Sequence, residues 1–297
     1  MVELKGVYTA IITPFKGTGV RSRIDWDALA RLVDFQNEGG VAGIVPCGTT
    51  GESPTLSHEE HNKVIEEVIE RAKGQVIAGT GSNCTWEAIA MSKHAADAGA
   101  TATLQVCPYY NKPSQEGLFR HFGAIAEAVD IPHVLYNIPG RTSRLIEPET
   151  IARLMNEYSN IIGVKEATGN EEVWKKTRQL CGDKFIILSG DDNKTYTLMR
   201  NYGCLGVISV ASNIAPRMMV DFIKLGLDGN WPAMEAENAR LSKLFEVLFI
   251  DTNPIPVKEA AKMMGLCGSG MRLPMCETSK ENREKIRSVI SEYGLIK

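Results

Sequence analysis

The sequence predicts a (β/α)8 barrel, the TIM-barrel form of the α/β class, followed by a helical C-terminal extension. Three observations point there. Short β-rich apolar runs alternate with longer stretches of helical periodicity, eight times within roughly the first 225 residues. The runs are nearly continuous rather than alternating, as parallel strands covered on both faces require. No Gly-x-Gly-x-x-Gly turn follows the first run, which argues against a doubly wound open sheet.

Strands are expected at 7–12, 43–47, 76–79, 102–106, 133–136, 161–165, 185–189 and 206–210. Helical patterns fill the intervals at 25–38, 57–73, 85–98, 114–129, 148–158, 171–181, 194–201 and 216–225. Ser57 opens the second helix with a Ser-x-x-Glu capping box through Glu60, and Ser114 stands before the acidic first turn of the fourth. Beyond about Asp228 there is no strand pattern. Residues 233–249, 257–264 and 279–293 read as helices, with Asn253-Pro254-Ile255-Pro256 as a rigid corner between the first two. The expected division is a barrel over 1–227 and a helical extension of the same unit over 228–297. The eight units share no evident sequence repeat.

Composition narrows the function classes. The chain has 297 residues, 43% hydrophobic and 23% charged, an ordinary globular balance. Lys+Arg 33 against Asp+Glu 36 leaves a net charge of −3, so no basic field exists to hold nucleic-acid phosphates. No apolar run reaches the ~18 residues of a membrane span, and Met1–Lys5 has neither the basic start nor the apolar stretch of a signal peptide. Seven cysteines without a Cys-x-x-Cys pair argue against a disulfide framework or a zinc knuckle. The expectation is a soluble, cytoplasmic protein without nucleic-acid or membrane partners.

A barrel places its chemistry on the loops after the strands. Gly48-Thr49-Thr50-Gly51-Glu52-Ser53 follows the second strand, and reads either as a tight turn or as a cradle of N–H and hydroxyl donors for a small anion. Pro108-Tyr109-Tyr110-Asn111 follows the fourth, an aromatic pair suited to cover by a ligand or a partner chain. Tyr136 and Arg141 stand a few residues apart after the fifth. Lys165 ends the sixth, where it is either a solvated rim lysine beside Glu166 or a buried amine of lowered pKa, nucleophilic toward carbonyls. An amine, a phenol, a guanidinium and two threonines on one face are what Schiff-base chemistry on a keto acid needs. For Asp191-Asp192, solvated or helix-capping roles rank above Mg²⁺ ligation.

These segments resemble the dihydrodipicolinate synthase family, within the pyruvate-dependent class I aldolases. The likeness runs through Gly48–Ser53, Pro108–Asn111, Tyr136-Asn137-Ile138-Pro139-Gly140-Arg141-Thr142, Gly163-Val164-Lys165-Glu166-Ala167-Thr168, Leu188–Asp192 and Asn253-Pro254-Ile255-Pro256-Val257-Lys258. The resemblance implies a barrel with C-terminal helices and condensation of pyruvate with aspartate β-semialdehyde, without metal or organic cofactor. It implies that Lys165 forms the imine and that Tyr136 relays protons through Thr50 to a Tyr110 reaching in from a neighbouring subunit. Thr49 and Thr50 would hold the pyruvate carboxylate, Arg141 the second substrate's carboxylate, and Gly190 and Ile208 would line the pyruvate pocket. A borrowed Tyr110 implies at least a dimer, and the family commonly forms tetramers.

His58 and His61 sit at i, i+3 on one helix, a spacing open to a metal or to a merely solvated polar face. The resemblance adds a third reading: Ser53, His58, His61, Asn83, Glu87 and Tyr109 match an allosteric L-lysine pocket, with Pro54 where alanine is common. Enzymatic rivals that share the lysine are N-acetylneuraminate lyase and keto-deoxy sugar acid aldolases. A rival of another class is a non-catalytic binder of keto acid or lysine.

Overall fold

Eight parallel strands close into a barrel in chain order, each bonded to the strands before and after it, with the last returning to the first. The computed structural model describes residues 2–20 and 22–297. The strands are β1 (Gly6–Ala10), β2 (Gly43–Val45), β3 (Gln75–Gly79), β4 (Ala102–Val106), β5 (His133–Asn137), β6 (Ile161–Glu166), β7 (Ile186–Ser189) and β8 (Gly206–Ser209). The barrel expected from the alternation is present. Some strands end earlier than their apolar runs, for local reasons. Pro46 follows β2 and has no N–H to give a neighbour. After β1, the Ile12 N–H turns to the Asn213 side chain at 3.0 Å instead of to a strand. A two-stranded hairpin, Phe15–Lys16 with Arg23–Ile24, precedes the first helix and was not expected, since two-residue strands carry no period.

The crossover helices are α1 (Trp26–Gly39), α2 (His58–Arg71), α3 (Thr85–Asp97), α4 (Gln115–Ala128), α5 (Pro148–Glu157), α6 (Glu171–Cys181), α7 (Thr195–Tyr202) and α8 (Pro216–Leu227). Three more follow: α9 (Trp231–Val247), α10 (Ile255–Met263) and α11 (Lys280–Glu292). The capping box is formed. Ser57 Oγ accepts from the Glu60 N–H at 3.1 Å, and Glu60 Oε2 accepts from the Ser57 N–H at 3.0 Å. Ser57→Ala is expected to cost about 1 kcal/mol, read as a lowered chemical-denaturation midpoint. Helix α9 starts two residues before its expected position because the Asn230 side chain caps it and Pro232 suits its first turn. The proline corner likewise lies inside the start of α10, with Pro256 in its first turn.

The strand pleat sorts side chains into two cores. Inside the barrel, Tyr8, Val45, Ile77, Leu104, Val134, Tyr136, Leu188 and Ile208 pack together. Between strands and helices a second apolar cluster runs from Val7, Ile44, Leu135 and Val164 out to Leu241 and Phe245 of α9, Val257 of α10 and Ile286 and Ile290 of α11. Those helices thus share the apolar layer that covers the barrel. Among the described residues, no helix is long and apolar enough to cross a membrane. All seven cysteines are unpaired.

Candidate active site

Neighbouring strands set two polar side chains side by side inside the barrel. Tyr136 of β5 pairs with Lys165 of β6 in the parallel register. Lys165 is 6% exposed and Tyr136 5%, and Lys165 Nζ stands 4.2 Å from the centroid of the Tyr136 ring. Of the two readings of Lys165, the buried one is realised. Burial pushes its pKa from 10.5 down to about 7, partly opposed by the Asp192 carboxylate and reinforced by Arg141. Near neutral pH a substantial share of this amine is unprotonated, the form that attacks carbonyl carbon. Burial moves the Tyr136 phenol the other way, up to about 12, against the pull of Arg141 and a hydrogen bond with Thr49. It therefore keeps its proton beside the amine.

The loop after β2 is bracketed by two non-glycine residues in the left-handed region, Cys47 (φ 55°) and Glu52 (φ 53°). Such backbone costs on the order of 1 kcal/mol or more per residue and persists where its surroundings enforce it. Thr13 Oγ1 donates to the Gly51 carbonyl at 2.7 Å. Thr50 is buried, and its Oγ1 accepts from Asn253 Nδ2 at 2.9 Å. The Asn253 carbonyl in turn accepts from Arg141 Nη2 at 3.2 Å, across to the loop after β5. Arg141 itself is exposed, on a short helix, Pro139–Thr142. Gly190 follows β7, its N–H bonded to the Glu166 carbonyl at 2.8 Å. Ile208 lies in the inner barrel cluster with Tyr136. Tyr110 stands apart from this group: it is 90% exposed, in left-handed backbone (φ 70°), projecting from the loop after β4.

The acidic pair divides. Asp191 caps the following turn, its Oδ1 accepting from the Asn193 N–H at 3.0 Å. Asp192, expected to be solvated or capping, is 1% exposed instead. Its Oδ2 accepts from the Val210 and Ala211 N–H groups at 3.0 and 2.9 Å, tying the end of β7 to the end of β8. Burial lifts its carboxyl to about 6, so it is largely ionised at neutral pH and supplies the negative charge that Lys165 feels.

One cavity of about 430 Å³ is lined by Thr49, Tyr136 and Arg141 and also by Ser53, Pro54, His58, His61, Glu87 and Tyr109. Part of each predicted residue set therefore faces one space, while Lys165, Thr50, Gly190, Ile208 and Asn83 are not in its lining. His58 Nε2 meets Glu87 Oε1 at 2.8 Å, and Ser82 donates to the other oxygen of Glu87. Asn83 Nδ2 donates to the Tyr109 carbonyl at 3.2 Å. His61 is not on a solvated face. It is 4% exposed, with Nε2 bonded to the Gly79 carbonyl at 2.8 Å, and burial lowers its pKa. Among the described residues, no group of three or more His, Cys, Asp or Glu side chains is placed to hold a metal ion.

Comparison with known proteins gives this constellation a family. The model of the dihydrodipicolinate synthetase family matches residues 3–293. The chain belongs to that family. It is 49% identical over 295 residues to the 4-hydroxy-tetrahydrodipicolinate synthase of Methanocaldococcus jannaschii, covering 98% of this chain and 99% of that one. Among solved structures, the chloride-inhibited dihydrodipicolinate synthase from Acinetobacter baumannii complexed with pyruvate superposes with a TM-score of 0.95 at 42% identity. It covers 99% of this chain and 100% of that one. The enzyme from Cyanidioschyzon merolae with lysine bound gives 0.94 at 40%, covering 98% and 99%. As a member of the dihydrodipicolinate synthetase family, the chain is an enzyme.

Sequence reasoning about this family member passed over several groups. Asn253 joins Thr50 to Arg141, and Glu52 is paired with Lys258, although all of them stand in segments that carried the resemblance. The burial of His61, not expected above, has a signal in the spacing: with Val64, Ile65 and Val68 it occupies the apolar stripe of α2. Gly190 has a steric role that can be tested. A Cβ there would stand 2.8 Å from Ala167 Cβ and 3.1 Å from Lys165 Cε. Gly190→Ala is expected to displace the amine and slow its reaction with keto acids by roughly tenfold or more, measured by single-turnover trapping.

Proposed function

We propose that this enzyme condenses pyruvate with L-aspartate β-semialdehyde to 4-hydroxy-tetrahydrodipicolinate through an imine on Lys165. The observation that carries the reading is the Lys165 amine itself, buried, held near neutrality and set against a protonated phenol. The activity borne by close relatives' names supports the same choice.

In this reading the Lys165 amine adds to the pyruvate keto carbon, and water leaves to give a protonated imine. Thr49 and Thr50 donate to the carboxylate. The imine withdraws electrons, so the pyruvate methyl gives a proton to the Tyr136 oxygen, which had protonated the departing hydroxyl, and becomes an enamine carbon. That carbon attacks the semialdehyde's carbonyl carbon, whose oxygen takes up a proton from the Tyr136 phenol. The semialdehyde's own amine then attacks the imine carbon, expels Lys165 and closes the ring. Arg141, exposed beside the cavity, meets the second substrate's carboxylate. A second copy of the chain completes the site by covering the projecting Tyr110 and the exposed Trp86, giving a dimer or a dimer of dimers.

The test is substrate choice. Pyruvate with aspartate β-semialdehyde should turn over, while N-acetylneuraminate and keto-deoxy sugar acids should not be cleaved. Cleavage of either sugar acid without condensation would replace this reading by a sugar-acid aldolase.

L-lysine fits the other part of the cavity: Glu87 attracts an ammonium group, with imidazole, hydroxyl and amide groups around it. Millimolar L-lysine is expected to inhibit, and His61→Ala to relieve that inhibition. Unchanged activity at that concentration, or inhibition that survives His61→Ala, would remove this part.

A further inference from the structure

The substrate side of the barrel is held from outside it by a buried ion pair. Glu52 ends the Gly48–Gly51 loop in left-handed backbone, and its carboxylate accepts from Lys258 Nζ of α10. Both side chains are almost wholly buried, at 0% and 1% exposure. Lys258 Nζ also donates to the Gly270 carbonyl at 2.8 Å and lies 4.3 Å from the Phe15 ring centroid. The second Glu52 oxygen accepts from the Arg272 N–H at 3.3 Å. Five residues before Lys258, Asn253 holds Thr50 and, through its carbonyl, Arg141. One short segment, 253–258, therefore grips the loops after β2 and β5 together.

A pair this buried is a poor device for stability alone, because desolvation offsets most of the attraction and apolar replacements often do as well. What an ion pair does well is fix a direction. It ties down the last residue of the very loop whose Thr49 and Thr50 hydroxyls face the substrate carboxylate, and an error of about 1 Å there costs up to ~100-fold in rate.

We infer that Glu52 and Lys258 are positioning residues for catalysis: the pair sets the Thr49–Thr50 loop, so that pyruvate capture on Lys165 depends on the C-terminal helices. The inference rests on the imine chemistry proposed above.

The experiment measures borohydride-trapped pyruvate against pyruvate concentration, together with kcat and KM, in the double variant Glu52→Gln/Lys258→Met. That variant removes both charges and so avoids an orphaned one. A control removes a neighbouring pair, Glu259 of the same helix with Arg283 of α11 at 2.9 Å, by Glu259→Gln/Arg283→Met, which likewise takes away both charges. The expected result is a double variant that melts near the parent but has its half-saturating pyruvate concentration raised and kcat/KM lowered roughly 10- to 100-fold. The control should bind pyruvate like the parent. If the double variant does not fold, Glu52→Asp gives the same reading, since it keeps a charge beside Lys258 while its shorter reach lets the loop shift. A folded variant with parental pyruvate dependence, or an equal shift in the control, overturns the inference. Absence of any trapped adduct in the parent would instead overturn the imine chemistry itself.

Discussion

Replacing Lys165 by Met is expected to abolish pyruvate trapping and lower turnover by about 10⁴-fold or more, the usual scale for loss of a covalent nucleophile. The same change should stabilise the fold. Bringing a base from pKa 10.5 to about 7 means that the folded protein resists protonation there, and at pH 7 the penalty is on the order of 4 kcal/mol at most. Methionine fills similar space without a charge. The sign of the pH dependence follows. Between about pH 7 and 10.5 the unfolded chain binds more protons than the folded one, so the parent gains stability as pH rises through that window. The advantage of Lys165→Met should be full near pH 7 and vanish above about pH 10.5. Thermal melts at pH 7.5 to 9.5 avoid the Glu166 and Asp192 carboxyls, which burial lifts only to about 7 and about 6. A variant no more stable than the parent across that range would mean that the amine is well solvated.

The largest loss of stability is expected from Lys258→Met alone. It leaves the Glu52 carboxylate buried with the Arg272 N–H as its remaining partner. Breaking one side of a buried pair costs about 3–5 kcal/mol, against roughly zero for removing both sides. Chemical denaturation should therefore place Lys258→Met far below the parent, with most of the loss regained on adding Glu52→Gln. Equal midpoints for Lys258→Met and the parent would show that water reaches the carboxylate.

The barrel was legible because parallel strands buried on both faces write themselves as apolar runs, and helices between them as a different period. Lys165 stood out for the same reason, as a charge at the end of such a run. The small hairpin at Phe15–Lys16 and Arg23–Ile24 was invisible because two residues define no period. Asp192 was misjudged because acidic residues after a strand usually cap or face water; two backbone N–H groups from the next strand's end hold it inside instead. Glu52 and Lys258 were in view as sequence, but they are 206 positions apart, and no local pattern reports a pairing across the chain.

The most direct measurement is peptide mapping of the protein reduced with borohydride in the presence of pyruvate. The expected result is one reduced pyruvyl group per chain, on Lys165, with a trapping rate that rises as pH passes through about 7. No adduct, or an adduct on another lysine such as the buried Lys258, would contradict the assignment of Lys165 as the nucleophile.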